Sequence, residues 1–280
     1  MALVSGHEVV EACRAGGFVA GAFNTTNLET TMGIVAAIER TGVPTFIQLA
    51  PTNVTLSGWD YVHDMVRRRT EALDVPVALH LDHGRTIDDV RAAMRAGFTS
   101  FMLDASALPY EENVALSAQA RLVVGPGFSL EVELGSIGGK EDDVAPEHAA
   151  TTDPSQVADF VAATGADMLA VSVGNAHGYV PGAAIDFELL EQVRAASPLP
   201  LVIHGGSGLP EAQMSHLGEH GVVKVNIASD LRNAMIRAFG EAYVANPKEN
   251  SLIKVSHSAV DAIGEVVERW IRVLNPRLGR

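Results

Sequence analysis

The sequence predicts one α/β domain spanning residues 1–280, folded as a TIM (β/α)8 barrel. Three observations carry this expectation. Short apolar, β-branched runs alternate eight times with helix-period segments, the pattern of a parallel sheet wrapped in helices. Most of those runs end in an ionisable or amide side chain, as strands do where a barrel builds its reactive face. A chain of 280 residues without a Pro/Gly/Ser-rich linker matches one barrel, which typically takes about 250 residues.

The runs are "FVAGAFN" (18–24), "PTFIQLA" (44–50), "VPVALHL" (75–81) and "TSFMLD" (99–104), then "FSLEVEL" (128–134), "MLAVSVG" (168–174), "LPLVIHG" (199–205) and "VVKVNI" (222–227). Between them, "NLETTMGIVAAIERTG", "TIDDVRAAMRAG", "DPSQVADFVAATGA" and "DFELLEQVRAAS" carry apolar residues at helical spacing. Several open on Asn, Thr or Asp and close on Gly, the residues that cap orphan amides and terminate helices. An open Rossmann-like sheet is the alternative, but no G-x-G-x-x-G opens a first helix. Spacing widens between 104 and 128 and between 134 and 168, where longer loops are expected.

Composition narrows the function. A 47% hydrophobic content supports a substantial core, yet no apolar run approaches the ~20 residues that span a membrane. The N-terminus "MALVSGHEVVEACRAGG" lacks the basic flank and long apolar stretch of a signal peptide. The lone Cys13 excludes an intrachain disulfide framework and suits a reducing cytoplasm; its helical pattern with Val9 and Val10 reads as packing. A formal charge of −14 argues against a nucleic-acid surface. The single basic run, "MVRRRTEAL", reads as a solvated helix face. Acidity still leaves room for a small anionic substrate held by backbone amides and one or two local cations.

The run ends are Asn24, Gln48, Asp82 with His83, Asp104, Glu131 and Glu133, Asn175 with His177, His204, and Asn226. His83, His177 and His204 fall at the ends of the third, sixth and seventh runs, each within one residue of a glycine ("DHG", "NAHG", "IHGG"). Singly, each reads as a hydrogen-bonded structural histidine. Together, three imidazoles and one open position are the ligand set of a catalytic zinc. His80 falls inside the third run and is expected within the barrel, whereas His63, His148, His216, His220 and His257 read as surface residues.

Glycines after the last two strands carry a second signal. "HGGSGL" supplies Gly205, Gly206 and Ser207, and "VNIASDL" supplies Asn226, Ile227, Ala228 and Ser229 at a helix start. Barrels commonly bind phosphate here; tight turns with an N-cap are the plainer alternative. The segment "LEVELGSIGGKEDD" places three glycines between a strand end and a run of acids, which suggests a mobile loop carrying a carboxylate, or simply a solvated acidic loop.

Taken in order, "LHLDHG", "MLDAS", "EVELGSIGGKEDD", "VGNAHGYV", "IHGGSGL" and "KVNIASDL" resemble the class II, zinc-dependent ketose-bisphosphate aldolases over about three quarters of the chain. Short loops make the tagatose-bisphosphate branch look nearer than the longer fructose-bisphosphate branch. The resemblance implies zinc on His83, His177 and His204, with Asp104 and Glu133 steadying the metal region or forming an alternative metal site. It implies Asp82 as the acid/base at the aldol hydroxyl and Glu141 as the loop carboxylate that moves the enediolate proton. Gly178, Gly205, Gly206, Ser207 and Asn226 to Ser229 would contact phosphate and dihydroxyacetone, with Asn24 nearby and sodium or potassium beside the phosphate in some members. A homodimer or homotetramer is implied as well. "NPKENSLIKVSHSAVDAI" departs from the family's usual C-terminal pattern, which leaves the group at the far end of the substrate open.

Three rival functions remain at this point. A Schiff-base aldolase would use a lysine such as Lys224, in the eighth run. A metal-dependent sugar-phosphate isomerase or epimerase would form the same enediolate without cleaving carbon–carbon bonds. A non-catalytic sugar-phosphate-binding subunit needs neither Asp82 nor Glu141.

Overall fold

Alternation along the strands sorts the side chains into two cores, and that sorting builds the molecule. The computed structural model describes residues 3–140 and 149–278. Its strands are β1 Ala20–Asn24, β2 Thr45–Leu49, β3 Val77–Gly84, β4 Ser100–Leu103, β5 Ser129–Leu134, β6 Gly138–Gly139, β7 Met168–Val171, β8 Ala176–His177, β9 Leu201–Ile203 and β10 Val222–Ile227. The helices are α1 Gly6–Gly16, α2 Leu28–Thr41, α3 Trp59–Thr70, α4 Ile87–Ala96, α5 Tyr110–Val124, α6 Pro154–Thr164, α7 Phe187–Ala196, α8 Glu211–Met214, α9 Ser229–Ala245 and α10 Leu252–Leu274. Eight parallel strands close in the order β1-β10-β9-β7-β5-β4-β3-β2, with β1 pairing both β10 and β2. These are the eight runs legible in the sequence.

Successive strand residues point to opposite faces. One set, including Phe23, Ile47, Leu79, Phe101, Val132, Leu169, Ile203 and Val225, packs outward with the helices in the larger core. The other set begins at the bottom with Ala20, Phe46, Ala78, Met102, Met168 and Val202, packed on Val9, Val10 and Cys13 of α1. Higher up the same inward face turns polar, with His80, Asp82, Glu131, Glu133, Lys224 and Asn226 all buried. Helix α1 therefore plugs the N-terminal mouth. Its first residue lies so close that a Cβ on Gly6 would sit 2.1 Å from Ser129 Oγ. Asn27, Thr86, Asp153 and Asp186 cap α2, α4, α6 and α7 with their side chains, while Gly42, Gly97 and Gly165 end α2, α4 and α6 in the left-handed conformation.

Burial pushes the Cys13 thiol up to about 12, in line with packing rather than reactivity. Among the described residues no helix is long and apolar enough to cross a membrane. The histidines expected at the surface divide. His216 and His257 are exposed, but His63 is half-buried against Gly97, and His220 bonds Glu191 over the ring of Phe187. His148 lies outside the described residues.

His80 is within the barrel, as its place in the strand implies. Its Nδ1 lies 2.7 Å from Ser100 Oγ, which in turn lies 2.8 Å from Ser129 Oγ. Burial first, and the Lys224 ammonium second, hold its imidazole well below the usual histidine range. The folded chain thus refuses a proton that the unfolded chain accepts near about pH 6.5. Stability present above that pH is lost as pH falls below it. Unfolding by denaturant between about pH 6.5 and 5 is expected to show His80→Gln losing up to about 1.4 kcal/mol less per pH unit than the parent chain. Equal slopes for the two proteins would remove His80 as the titrating group.

Candidate active site

The C-terminal end of β3 carries two adjacent functional side chains because the strand continues further than its apolar run. It reaches Gly84, and its pairing with β4 shifts register between Leu81 and Gly84. Within that irregularity His83 has φ 47°, the one positive value among non-glycine residues described. Such a conformation costs about 1–3 kcal/mol and persists where surrounding structure imposes it. The bulge places Asp82 and His83 on one site, with Asp82 Oδ1 3.9 Å from His83 Nε2.

Asp82 is fully buried and gathers three amide donors. Asn24 Nδ2 and Gln48 Nε2 each donate to Oδ2 at 3.0 Å, and Asn226 Nδ2 donates to Oδ1 at 2.9 Å. Asn24, grouped by sequence with the phosphate contacts, is here a partner of Asp82. Gln48, noted in the sequence only as a strand end, completes the cradle.

The ligand nitrogens of His83, His177 and His204 lie within 4.8 Å of one another. His83 Nδ1 is 2.8 Å from Asp104 Oδ2, and His204 Nε2 is 2.8 Å from Glu131 Oε1. Burial alone would raise Asp104, but the His83 and Ser106 hydrogen bonds hold its carboxyl well below the usual range. Glu131 is likewise raised by burial and held low by Lys224 above all, then by His204. Both carboxylates are ionised and accept, so His83 Nδ1 and His204 Nε2 are the protonated nitrogens. Each histidine then turns a lone pair inward, and His83 Nε2 faces His204 Nδ1 at 2.9 Å. Two facing lone pairs repel, so either a proton shared between the rings or a bound cation must lie between them. Tetrahedral zinc, with bonds of about 2.0–2.1 Å, sets such nitrogens about 3.4 Å apart. The donor set fits a divalent metal, and Asp104 and Glu131 are the outer partners that fix its imidazoles. Burial pushes the His204 imidazole below its ordinary range, which favours the neutral, coordinating form.

Asp104 and Glu133 form a second group with His83 that could hold a cation. Burial first, then the Asp104 charge, push Glu133 well above the usual carboxylate range. The pair is thus driven apart, Asp104 toward the charged form and Glu133 toward the protonated one.

Beside His177, a pocket is lined by Gly178, Gly205, Ser207, Asn226, Ala228 and Ser229, all expected from the sequence. Lys140 and Arg232 line it too and supply positive charge on an otherwise acidic protein. Neither is assigned to a phosphate site by the sequence: nothing local marks a lysine after "GG" or an arginine in the first turn of α9 as a ligand. Close packing explains the glycines. A Cβ on Gly205 would lie 2.1 Å from the Ala176 carbonyl oxygen, and one on Gly208 2.4 Å from that of Gly178. Gly206 and Ile227 do not line the pocket. Ile227 belongs to the outer core, and Gly206 packs against β10.

The "GSIGG" stretch departs from its loop-like reading. Gly138 and Gly139 pair in parallel with Ala176 and His177, and a Cβ on Gly139 would meet the His177 carbonyl oxygen at 2.2 Å. These glycines let one backbone lie on another beside a metal-site histidine. Glu141 lies outside the described residues.

Comparison with known proteins adds to this geometry. The family model for fructose-bisphosphate aldolase class-II matches residues 4–277. The chain belongs to that family. It is an aldolase, a carbon–carbon lyase. A probable fructose-bisphosphate aldolase of Bacillus subtilis (strain 168) is 37% identical over 272 residues, covering 95% of each chain. The fructose-bisphosphate aldolase of Geobacillus stearothermophilus is 36% identical with the same coverage. The YdjI aldolase from Escherichia coli K12 superposes with a TM-score of 0.86 at 30% identity, over 98% of this chain and 97% of that one. These two curated relatives carry the fructose name, not the tagatose name that the short loops led the sequence to favour.

Lys224 does not suit Schiff-base chemistry in this aldolase. Its Nζ is buried and donates to Glu131 Oε2 and Asn226 Oδ1, both at 2.8 Å.

Proposed function

We propose that this chain is a zinc-dependent aldolase that reversibly cleaves a ketose bisphosphate to dihydroxyacetone phosphate and an aldehyde, glyceraldehyde 3-phosphate in the native reaction. The observation that carries this reading is the adjacency of Asp82 to the three-imidazole cluster, beside a glycine-rich pocket with two cations. A divalent ion on His83, His177 and His204 would supply Lewis acidity, contributing several kcal/mol of charge stabilisation as the carbonyl carbon chain breaks. Asp82 takes the C4 hydroxyl proton during cleavage and returns it during synthesis. Its three amide donors hold the carboxylate in place through both directions. Gly178, Gly205, Ser207 and the α9 start receive the phosphate, with Lys140 and Arg232 opposing its charge. Glu141, by its family resemblance alone, protonates the carbon left behind.

This reading includes a cytoplasmic homodimer or homotetramer. Exposed Tyr243, Val244, Leu252 and Ile253, close in sequence around the α9–α10 connection, support self-association.

Incubating the protein with dihydroxyacetone phosphate and a panel of aldehydes, phosphorylated and not, is expected to give new ketose phosphates, identified by mass and stereochemistry. Exchange of a substrate proton with solvent, with no carbon–carbon bond made or broken, would instead identify an isomerase or epimerase and end the aldolase proposal.

A further inference from the structure

We infer that Lys224 is a positioning residue that sets two parts of the reaction centre at once, the imidazole of His204 and the carboxylate of Asp82. The inference rests on the aldolase reading above and adds to it a device that neither the metal ligands nor the phosphate pocket contains.

The lysine stands on the inward face of β10, fully buried, with its Nζ 5.7 Å from the centre of the Phe46 ring. Two chains of contact leave that nitrogen. One passes through Glu131: Nζ to Oε2 at 2.8 Å, then Oε1 to His204 Nε2 at 2.8 Å. The other passes through Asn226: Nζ to Oδ1 at 2.8 Å, then Nδ2 to Asp82 Oδ1 at 2.9 Å. An ammonium only donates. It therefore dictates which end of the Asn226 amide faces it, and the opposite end must present N–H to Asp82. Flipping that amide would set donor against donor at Lys224 and acceptor against acceptor at Asp82. On the other arm the same charge holds Glu131 in the orientation that keeps a proton on His204 Nε2 and turns Nδ1 toward His83 Nε2, 2.9 Å away. One cation thus orients the metal-binding imidazole and the acid/base without touching either.

The test compares Lys224→Met with Glu131→Gln in the full chain. Zinc affinity of the metal-stripped proteins is measured by competition with a chromophoric chelator, and kcat at saturating zinc. Glu131→Gln is expected to bind zinc about 10–100-fold more weakly, the usual consequence of losing an outer partner, and Lys224→Met to weaken binding in the same direction, because Glu131 is then free to turn from His204. At saturating zinc Glu131→Gln should recover most of its kcat, because Lys224 still orients Asn226. Lys224→Met should remain at least about tenfold slow, its Asn226 amide free to turn from Asp82. Should Lys224→Met fail to fold with Glu131 left as a lone buried charge, the neutral double variant Lys224→Met/Glu131→Gln carries the same expectation. Unchanged zinc affinity, or full recovery of kcat at saturating zinc in whichever of these two variants folds, overturns the inference. A parent chain that forms no ketose phosphate defeats the aldolase reading instead, and the zinc-affinity arm still decides the role of Lys224 on the imidazole.

Discussion

Asp82→Ala is expected to lower carbon–carbon cleavage by about 10²–10⁴-fold, the usual share of a positioned general acid–base group, while metal content stays that of the parent chain. The separation is predicted because Asp82 is not a member of either candidate metal cluster, although it lies 3.9 Å from one ligand nitrogen. Alanine leaves Asn24, Gln48 and Asn226 without their shared acceptor. Each deserted buried donor costs about 1–3 kcal/mol unless water enters, so a lowered melting temperature should accompany the loss. Asp82→Asn, usually the gentler choice, is expected to disturb the site more. Its single oxygen can serve Asn24 and Gln48 at the Oδ2 position, but its new amide then faces the Asn226 N–H donor. Asn226 cannot turn to accept, because its other end is held by the donor-only Lys224. Turnover and metal content measured on both variants check this. An Asp82→Ala protein that turns over at the parent rate removes the carboxylate from the mechanism.

How much of this was legible in the sequence depends on the distance over which each signal acts. Strands and helix ends were legible because their causes are local: period-2 alternation, Asn27 or Thr86 before a helix, Gly42 or Gly97 after one. His83, His177 and His204 were found because barrel topology brings strand ends together wherever they lie in sequence. The extension of β3 through His83 was missed, since a register shift and a positive φ leave no mark in hydrophobic pattern. Gly138 and Gly139 looked like hinge residues, and only the approach of the His177 backbone shows that they are packing residues. The Glu131–Lys224 pair was hidden for a different reason. The two residues are 93 positions apart on strands that are not neighbours, and they meet only across the barrel axis. Alternation does place both on the inward face, a usable clue: a lysine and a glutamate facing inward in an apolar barrel must find each other or another countercharge.

Stripping the protein of divalent ions is expected to abolish cleavage, and adding zinc to restore it. The site's own chemistry makes this the second large effect. His83 Nε2 and His204 Nδ1 face each other at 2.9 Å, with Asp104 and Glu131 occupying the opposite nitrogens, an arrangement in which a bound cation would take the place of a proton shared between the rings. Removing one ligand should act in the same direction, but the substitution at His83 has to respect the backbone. With φ 47°, alanine would add strain to the loss of a ligand, whereas asparagine visits the left-handed region more readily. His83→Asn is therefore expected to fold with a melting temperature near that of the metal-free parent. Its shorter side chain withdraws the nitrogen from the cluster, so zinc affinity should fall by more than the roughly 10–100-fold typical of losing an outer partner. Competition with a chromophoric chelator, alongside elemental analysis of the purified protein, reads the loss. Full activity in a preparation shown to hold no metal would separate carbon–carbon cleavage from the three imidazoles and return the question to the lysines.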